Sequence, residues 1–269
     1  MQKELQYAQE AALRAGEEIL RFYKQDYNVR DKSYHNPVTD ADHAADHAIK
    51  TIITQGFPKD GWLSEETVDS AERLVSDRVW IVDPLDGTKE FIEGVPNFVV
   101  SIALVQDRHP VLGILYNPVT KEIFHGFKGG GSYFNNNPIH CSSKSELDQS
   151  SIVISRSETR RGLWNGTSHW FGEQAHIGSV AYKLGLTAAG QFDCFATLRP
   201  KNEWDVCAGQ IILKEAGGIL VNLGDKGVRT FNQQKSLITP GLIGGNPTLV
   251  EAFYKRWHEH QSNSAAAEV

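Results

Sequence analysis

The sequence predicts a mixed α and β fold, and three features of the chain support this prediction. An apolar stripe with helical spacing lies near the N-terminus, short apolar runs separated by turn residues follow it, and helical and strand-like segments alternate in the second half. The chain has 269 residues, of which 40% are apolar and 22% are charged. This composition is typical of a globular protein, and the length suggests about two domains or subdomains.

Two helices are predicted at the N-terminal end. Apolar residues recur there at steps of three and four over about six turns, at Leu5, Ala8, Ala12, Ala15, Ile19 and Phe22. An extended segment, Asn36 to Asp40, leads into the second helix, whose apolar stripe continues until Gly56 and Pro58 end it.

Short strands are predicted between these helices and the middle of the chain. Apolar runs lie at residues 62–64, 79–82, 98–105, 111–116 and 122–127, and turn residues separate the later ones. We therefore expect a meander of antiparallel strands. The glycine run at residues 129–131 and the asparagine-rich segment at residues 135–138 have the composition of loops.

Helix and strand alternate in the second half of the sequence. Strands are predicted at residues 151–155, 192–197 and 219–221, and helices at residues 179–189 and 204–216. The polar stretch at residues 142–150 separates the two halves. We predict an N-terminal α+β subdomain over residues 1–145, a C-terminal α/β subdomain over residues 146–258 and a frayed tail over residues 259–269.

Charge and composition exclude several functional classes. A formal net charge of −6 and a pI near 5.9 argue against a nucleic-acid polymer as the partner. The three cysteines show neither a disulfide framework nor a CxxC pair. Neither an apolar signal-peptide core nor a stretch long enough to span a membrane is visible in the sequence, so a cytoplasmic location is expected.

The most informative motif runs from Trp80 to Phe91 and consists of an apolar strand, two carboxylates and a Gly-Thr pair. The side chains of Asp83 and Asp86 and the carbonyl of Leu85 are hard oxygen donors that suit Mg²⁺ or Mn²⁺. Gly87 permits close approach of a ligand, and the N–H groups of Gly87 and Thr88 would hold a phosphate. The alternative is an ordinary hairpin turn, which an Asp-Gly pair favours.

Two further acidic segments lie at the ends of predicted elements. Glu65 and Glu66 follow a short apolar run, where an exposed acidic turn is the simpler explanation. The segment Thr39 to Asp42 has the composition of a helix cap with acidic residues in the first turn.

Taken together, these motifs resemble those of the inositol monophosphatase superfamily. That family carries a Glu-Glu pair, then Asp-Pro-Leu/Ile-Asp-Gly-Thr after a strand, then Trp-Asp-x-x-Ala-Gly at the start of a late helix. The counterparts here are Glu65–Glu66, Asp83–Thr88 and Trp204–Gly209, with Pro37–Asp40 upstream. The resemblance spans residues 5–250 and implies an α+β fold, a layered αβαβα sandwich of the inositol monophosphatase and sugar phosphatase type.

The resemblance also implies a metal cluster of two or three Mg²⁺ ions, with Mn²⁺ as an alternative. Glu65, Asp83 and the Leu85 carbonyl would hold one ion. Asp83 would bridge to a second ion held by Asp86 and Asp205.

The catalytic roles are likewise implied by the resemblance. Thr88, hydrogen-bonded to Asp40, would orient the attacking water, with Asp40 as the distal base and Glu65 assisting. The expected substrate-binding residues are Glu65, Leu85, Asp86, Gly87, Thr88 and Asp205.

The segment from Thr88 to Phe91 resembles the 3′(2′),5′-bisphosphate nucleotidase branch, whereas inositol phosphatases tend to have asparagine in place of Glu90. We therefore expect a small phosphorylated metabolite, adenosine 3′,5′-bisphosphate, as the substrate, a place in sulfur metabolism and lithium sensitivity. The alternatives are an inositol monophosphate, a sugar bisphosphate such as fructose 1,6-bisphosphate, or metal and phosphate binding without turnover.

Arg199 and Lys201 would either meet a second phosphate or be solvated loop charges. A homodimer is possible.

Overall fold

The fold is described from a computed structural model over residues 1–33, 36–227, 229–239 and 241–267. Within these residues the helices are α1 Gln2–Phe22, α2 Asp40–Gly56, α3 Thr88–Ile92, α4 Arg156–Arg160, α5 Val180–Ala188, α6 Glu203–Glu215 and α7 Pro247–Ala267. The strands of the first half are β1 Val29–Ser33, β2 Asn36–Thr39, β3 Gly61–Ser64, β4 Arg78–Asp86, β5 Val99–Gln106, β6 His109–Asn117, β7 Glu122–Phe127, β8 Gly131–Phe134 and β9 Asn137–Ile139. Those of the second half are β10 Ser151–Ser155, β11 Glu173–Ile177, β12 Cys194–Thr197, β13 Lys201–Asn202, β14 Ile219–Asn222, β15 Leu237–Ile238 and β16 Leu242–Gly245.

Two larger sheets organise the chain. The first has the order β3-β4-β5-β6-β7-β8-β9. Its pairs are antiparallel from β4 onward, as the meander prediction requires, but β3 is parallel to β4. The second has the order β11-β10-β12-β16-β14, with β10 parallel to both neighbours and β16 antiparallel to β12 and β14. The short pairs β1-β2 and β13-β15 lie outside these sheets.

Side-chain alternation along the strands produces five layers. On β4, Trp80 and Val82 pack with the apolar faces of α1 and α2, whereas Val79 and Ile81 belong to the core formed with α5 and α6. The second sheet covers the other side of α5 and α6, and α7 packs on its outer face through residues such as Phe253. This αβαβα order confirms the predicted fold.

Two local predictions differ in part from the structure. The glycine- and asparagine-rich segments form turns at residues 129–130 and 135–136 as expected, but Gly131 and residues 137–138 belong to β8 and β9, which form a hairpin whose turn residues, Asn135 and Asn136, have positive φ. The frayed tail expected from residue 259 is instead helical as far as Ala267, and residues 268 and 269 lie outside the described part. The ring centroids of His260 and Trp170 lie 5.2 Å apart, so packing against the rest of the chain continues into the predicted tail. None of the helices among the described residues has the length and hydropathy of a membrane span.

Candidate active site

Two carboxylates lie at the end of β4, in the middle of the molecule. The β4–β5 pairing loses its regular register between Asp83 and Asp86, and Pro84 between them has no N–H to donate. The Leu85 N–H instead donates to the Asp83 carboxylate at 3.0 Å. The irregular strand end therefore leaves both acidic side chains largely buried.

The third carboxylate, Asp205, comes from the first turn of α6. Asn202 precedes this helix, and its backbone N–H donates to the Asp205 carboxylate at 2.8 Å, so helix capping orients the acid. One oxygen from each of Asp83, Asp86 and Asp205 lies within 4.8 Å of the others. The structure thus brings together the acidic residues of two motifs that are far apart in the sequence.

The carboxylates raise one another's pKa values. Burial raises the pKa of Asp83 well above its usual range, and the charges of Glu65, Asp86 and Asp205 raise it further. Burial likewise raises the pKa of Asp86, and burial with the charges of Asp86 and Glu65 raises that of Asp205 to about 8. A divalent cation would relieve this repulsion, and carboxylate oxygens are the donors that Mg²⁺ and Mn²⁺ prefer. The donor set therefore fits the predicted metal.

Glu65 lies on the same cavity, directly after β3. Its backbone N–H donates to the Val82 carbonyl at 3.2 Å, which continues the parallel β3–β4 pairing. Asp46 of α2 holds the surrounding segment by accepting hydrogen bonds from the hydroxyls of Ser64 and Thr67. The glutamate predicted from the Glu-Glu pair is thus placed near the three aspartates by strand pairing and by a buried acid of α2.

The expected hydrogen bond between Thr88 and Asp40 is wrong. The Thr88 hydroxyl lies 3.0 Å from a carboxylate oxygen of Asp42 and 3.2 Å from the Leu85 carbonyl oxygen. The other Asp42 oxygen accepts from the Thr39 hydroxyl at 2.6 Å and from the Thr39 N–H at 2.8 Å. Burial raises the pKa of Asp42, although the hydrogen bonds from Thr39 and Thr88 oppose this shift.

Asp40 points away from the site because of its place on α2. Its carboxylate accepts hydrogen bonds from the backbone and side chain of Asn28, at 3.1 and 2.9 Å, and these bonds lower its pKa. Asp42 is three residues after the cap Thr39, where a capping box turns an acidic side chain back towards the helix start. The periodicity of α2 also distinguishes the two, since Asp42 shares the buried face with Ile49 and Ile53.

Gly87 and Thr88 form part of the cavity wall, as the motif suggested. Gly87 has φ of +107°, and a Cβ atom there would lie 2.9 Å from the Asn97 carbonyl oxygen. Any other residue would therefore be strained at this position. The turn allows β4 to end and α3 to begin within one residue, which directs the Thr88 side chain towards Asp42.

The opposite wall contains residues that the motifs did not reveal. The Ser179 hydroxyl and the Ala181 N–H both donate to one Asp86 oxygen at 2.6 Å. Lys183, which is buried in α5, donates to the carbonyls of Ile177 at 3.0 Å and Ser179 at 2.8 Å, and burial lowers its pKa to about 8. A lysine inside an otherwise apolar helix, four residues after a capping serine, was the available sequence signal.

These walls enclose a cavity of about 250 Å³ that is open to solvent. Its rim includes Lys89, Glu90 and Ser157 from the sides and Lys201 from the loop that precedes α6. Arg199 is exposed on that same loop and is not among the lining residues of the described structure. The cavity lining thus combines the acidic cluster with the cations Lys89, Lys183 and Lys201.

Comparison with known proteins agrees with this geometry. The sequence matches the profile described as the Inositol monophosphatase family over residues 1–262. The chain belongs to this family. It is therefore an inositol monophosphatase family phosphatase. Each of the three motifs that carried the resemblance contributes residues to one cavity, among them Glu65, Asp83, Asp86 and Asp205.

Several relatives with different names share most of the chain. Inositol monophosphatase 3 of Solanum lycopersicum is 34% identical over 95% of this chain and 96% of its own. The 3′(2′),5′-bisphosphate nucleotidase CysQ of Aggregatibacter actinomycetemcomitans is 32% identical over 90% of this chain and 92% of its own. Among solved structures, the IMPase of Thermotoga maritima superimposes with a TM-score of 0.85 at 27% identity, covering 96% of this chain and 98% of that one.

Proposed function

We propose that this protein is a Mg²⁺-dependent phosphomonoesterase that hydrolyses adenosine 3′,5′-bisphosphate to AMP and phosphate. The observation that carries the proposal is the buried cluster of Asp83, Asp86 and Asp205, whose oxygens lie within 4.8 Å of one another on a solvent-accessible cavity. Such a cluster costs folding free energy unless cations neutralise it. Bound divalent ions supply an activated water and stabilise the charge of the leaving oxygen.

Each residue of the site has a part in this proposal. Glu65, Asp83, the Leu85 carbonyl, Asp86 and Asp205 would hold the ions. The Thr88 hydroxyl donates to Asp42, which leaves its oxygen lone pairs free to accept a proton from the attacking water. Asp42, not Asp40, would be the final proton acceptor, and its raised pKa favours that role.

The choice of substrate rests on the rim of the cavity and on the relatives. Lys201 lines the same cavity as the acidic cluster and supplies a cation that can meet a second phosphate. The segment Thr88 to Phe91 resembles the nucleotidase branch, and a relative named as a bisphosphate nucleotidase is 32% identical.

An inositol monophosphate is the second candidate substrate. The relatives named as inositol monophosphatases are as similar as the nucleotidase, at 34% identity for the first of them. A relative from Aquifex aeolicus is named as a fructose-1,6-bisphosphatase/inositol-1-monophosphatase. It is 33% identical over 84% of this chain and 88% of its own, and its name adds a sugar bisphosphate to the candidate substrates.

The test is release of inorganic phosphate from adenosine 3′,5′-bisphosphate, inositol 1-phosphate and fructose 1,6-bisphosphate, each with Mg²⁺, with EDTA and with added lithium. We expect the nucleotide to have the highest kcat/KM, with loss of activity in EDTA, inhibition by lithium and inactivity of Asp83→Ala. Preference for another ester would retain the metal chemistry and replace the substrate. Binding of the esters without phosphate release would identify a non-catalytic binding protein.

A further inference from the structure

The loop between β12 and α6 connects the rim of the cavity to its metal-binding end. It runs from Thr197 through Arg199 to Lys201, and Asn202 then caps the helix that carries Asp205. The Lys201 side chain lines the cavity and is only 14% exposed. The conformation of this loop therefore determines where the Lys201 ammonium group lies.

One buried side chain, Glu158 of α4, holds this loop. Its carboxylate accepts hydrogen bonds from the Thr197 hydroxyl at 2.6 Å and from the N–H groups of Leu198 and Arg199, both at 3.1 Å. A fourth bond comes from the Trp164 indole at 3.1 Å. Glu158 is 1% exposed and belongs to none of the motifs from which the function was predicted. A carboxylate that accepts backbone N–H groups from consecutive residues restricts the path of the chain there.

The charge of Glu158 is stabilised by the same loop. Burial alone would raise the pKa of Glu158, but the charge of Lys201 and the hydrogen bonds from Thr197, Leu198 and Arg199 lower it below its usual value. The buried side chain is therefore an anion at neutral pH. Its attraction keeps Lys201 near the cavity wall.

The contact between the two charges is an ion pair without a hydrogen bond. The Lys201 Nζ atom lies 3.7 Å from the nearest Glu158 oxygen, beyond hydrogen-bonding distance, and donates instead to the carbonyls of Arg199 at 3.3 Å and Pro200 at 3.2 Å. These longer bonds are weak, so a phosphate oxygen can compete for the ammonium protons.

We propose that Glu158 is a positioning residue for substrate recognition, which fixes residues 197–201 and so holds the Lys201 ammonium group where the second, non-reacting phosphate of the substrate binds. The recognition part of this inference rests on the proposed function. Glu158 lies behind the loop and would touch neither the metal ions nor the reacting phosphate.

The test compares adenosine 3′,5′-bisphosphate with adenosine 3′-monophosphate, which differ only in the second phosphate. Glu158→Gln preserves side-chain size, Lys201→Met removes the cation, and Glu173→Gln on the exposed strand β11 is the control. We expect both Glu158→Gln and Lys201→Met to raise KM for the bisphosphate about tenfold. Values of kcat, and KM for the monophosphate, should change by less than about twofold. Because one residue acts through the other, the double variant should resemble Lys201→Met.

Hydrogen exchange gives a readout that does not require activity. The amides of Leu198 and Arg199 should exchange faster in Glu158→Gln than in the wild type, and remain protected in Lys201→Met and Glu173→Gln. Thr197→Val removes one of the four bonds and keeps the charge, so it should show the same changes to a smaller extent if Glu158→Gln does not fold.

Three results would overturn the inference: unchanged exchange in Glu158→Gln, additive effects in the double variant, or an equal loss of kcat on both nucleotides. If the wild type hydrolyses neither nucleotide, the proposed function fails instead. The part of the inference in which Glu158 fixes the loop is then tested by amide hydrogen exchange alone.

Discussion

Asp42→Asn is the most direct test of how the site moves a proton. The substitution leaves the size of the side chain almost unchanged but removes a carboxylate that accepts hydrogen bonds from Thr88 at 3.0 Å and from Thr39. An asparagine can accept through its oxygen only, and its amide cannot take up a proton from the Thr88 hydroxyl.

The size of the effect follows from the two roles of the carboxylate. Loss of a positioned general base lowers rates by about 10²- to 10⁴-fold, which corresponds to about 3–5 kcal/mol in activation free energy. The free energy of unfolding should fall by about 1–3 kcal/mol at most, because a hydrogen-bond acceptor is lost on one side of a buried group. Removal of a buried charge, whose pKa is raised by burial, offsets part of that loss.

The assay is kcat for phosphate release at saturating substrate and Mg²⁺, with urea unfolding measured on the same samples. Asp40→Asn is the matched control, because it makes the same change two residues earlier on α2, where the carboxylate accepts hydrogen bonds from Asn28 and not from Thr88. Its kcat should stay within about twofold of the wild type. A normal kcat in Asp42→Asn, or equal losses in both variants, would refute the assignment of Asp42.

The remaining predictions concern metal binding and the core. The pKa values of Asp83 and Asp205 are raised in the folded protein, the latter to about 8. In the metal-free protein these two groups therefore contribute most to stability in acid, and their contribution is lost as pH rises from their unfolded through their folded pKa values. The Tm increase on adding Mg²⁺ should therefore grow from pH 5 to 8, and a pH-independent increase would contradict the cluster. Ser179→Ala should weaken Mg²⁺ binding by about 10- to 100-fold in a calorimetric titration, because Asp86 loses a 2.6 Å hydrogen bond, and unaltered affinity would argue against this role. Phe253→Ala should lower the free energy of unfolding by about 3–5 kcal/mol in urea, whereas Val75→Ala at an 87% exposed position should change it by less than about 0.5 kcal/mol; equal effects would show that α7 does not stabilise the fold.

The positions of the candidate metal ligands were predictable because each lies within a short motif. Asp83, Asp86 and Gly87 are neighbours at a strand end, and Asp205 belongs to a helix start with its own capping signal. The error at Asp40 arose where two acids compete within one helix turn. Both acids are residue types that suit the first turn of a helix. Only Asp42 lies three residues after Thr39, the spacing of a capping box.

Local signals in the sequence were enough to predict α1, α2, α5 and α6 and the strands of the β3 to β7 meander, because periodicity and turn chemistry act over a few residues. The hydrogen bonds that position the site residues depend instead on packing between distant segments. The hydrogen bond from Ser179 to Asp86 and those from Thr197 to Arg199 onto Glu158 join residues that are far apart along the chain. No local pattern specifies such pairs, because a polar side chain gains or loses its partner only when the layers that carry them come together.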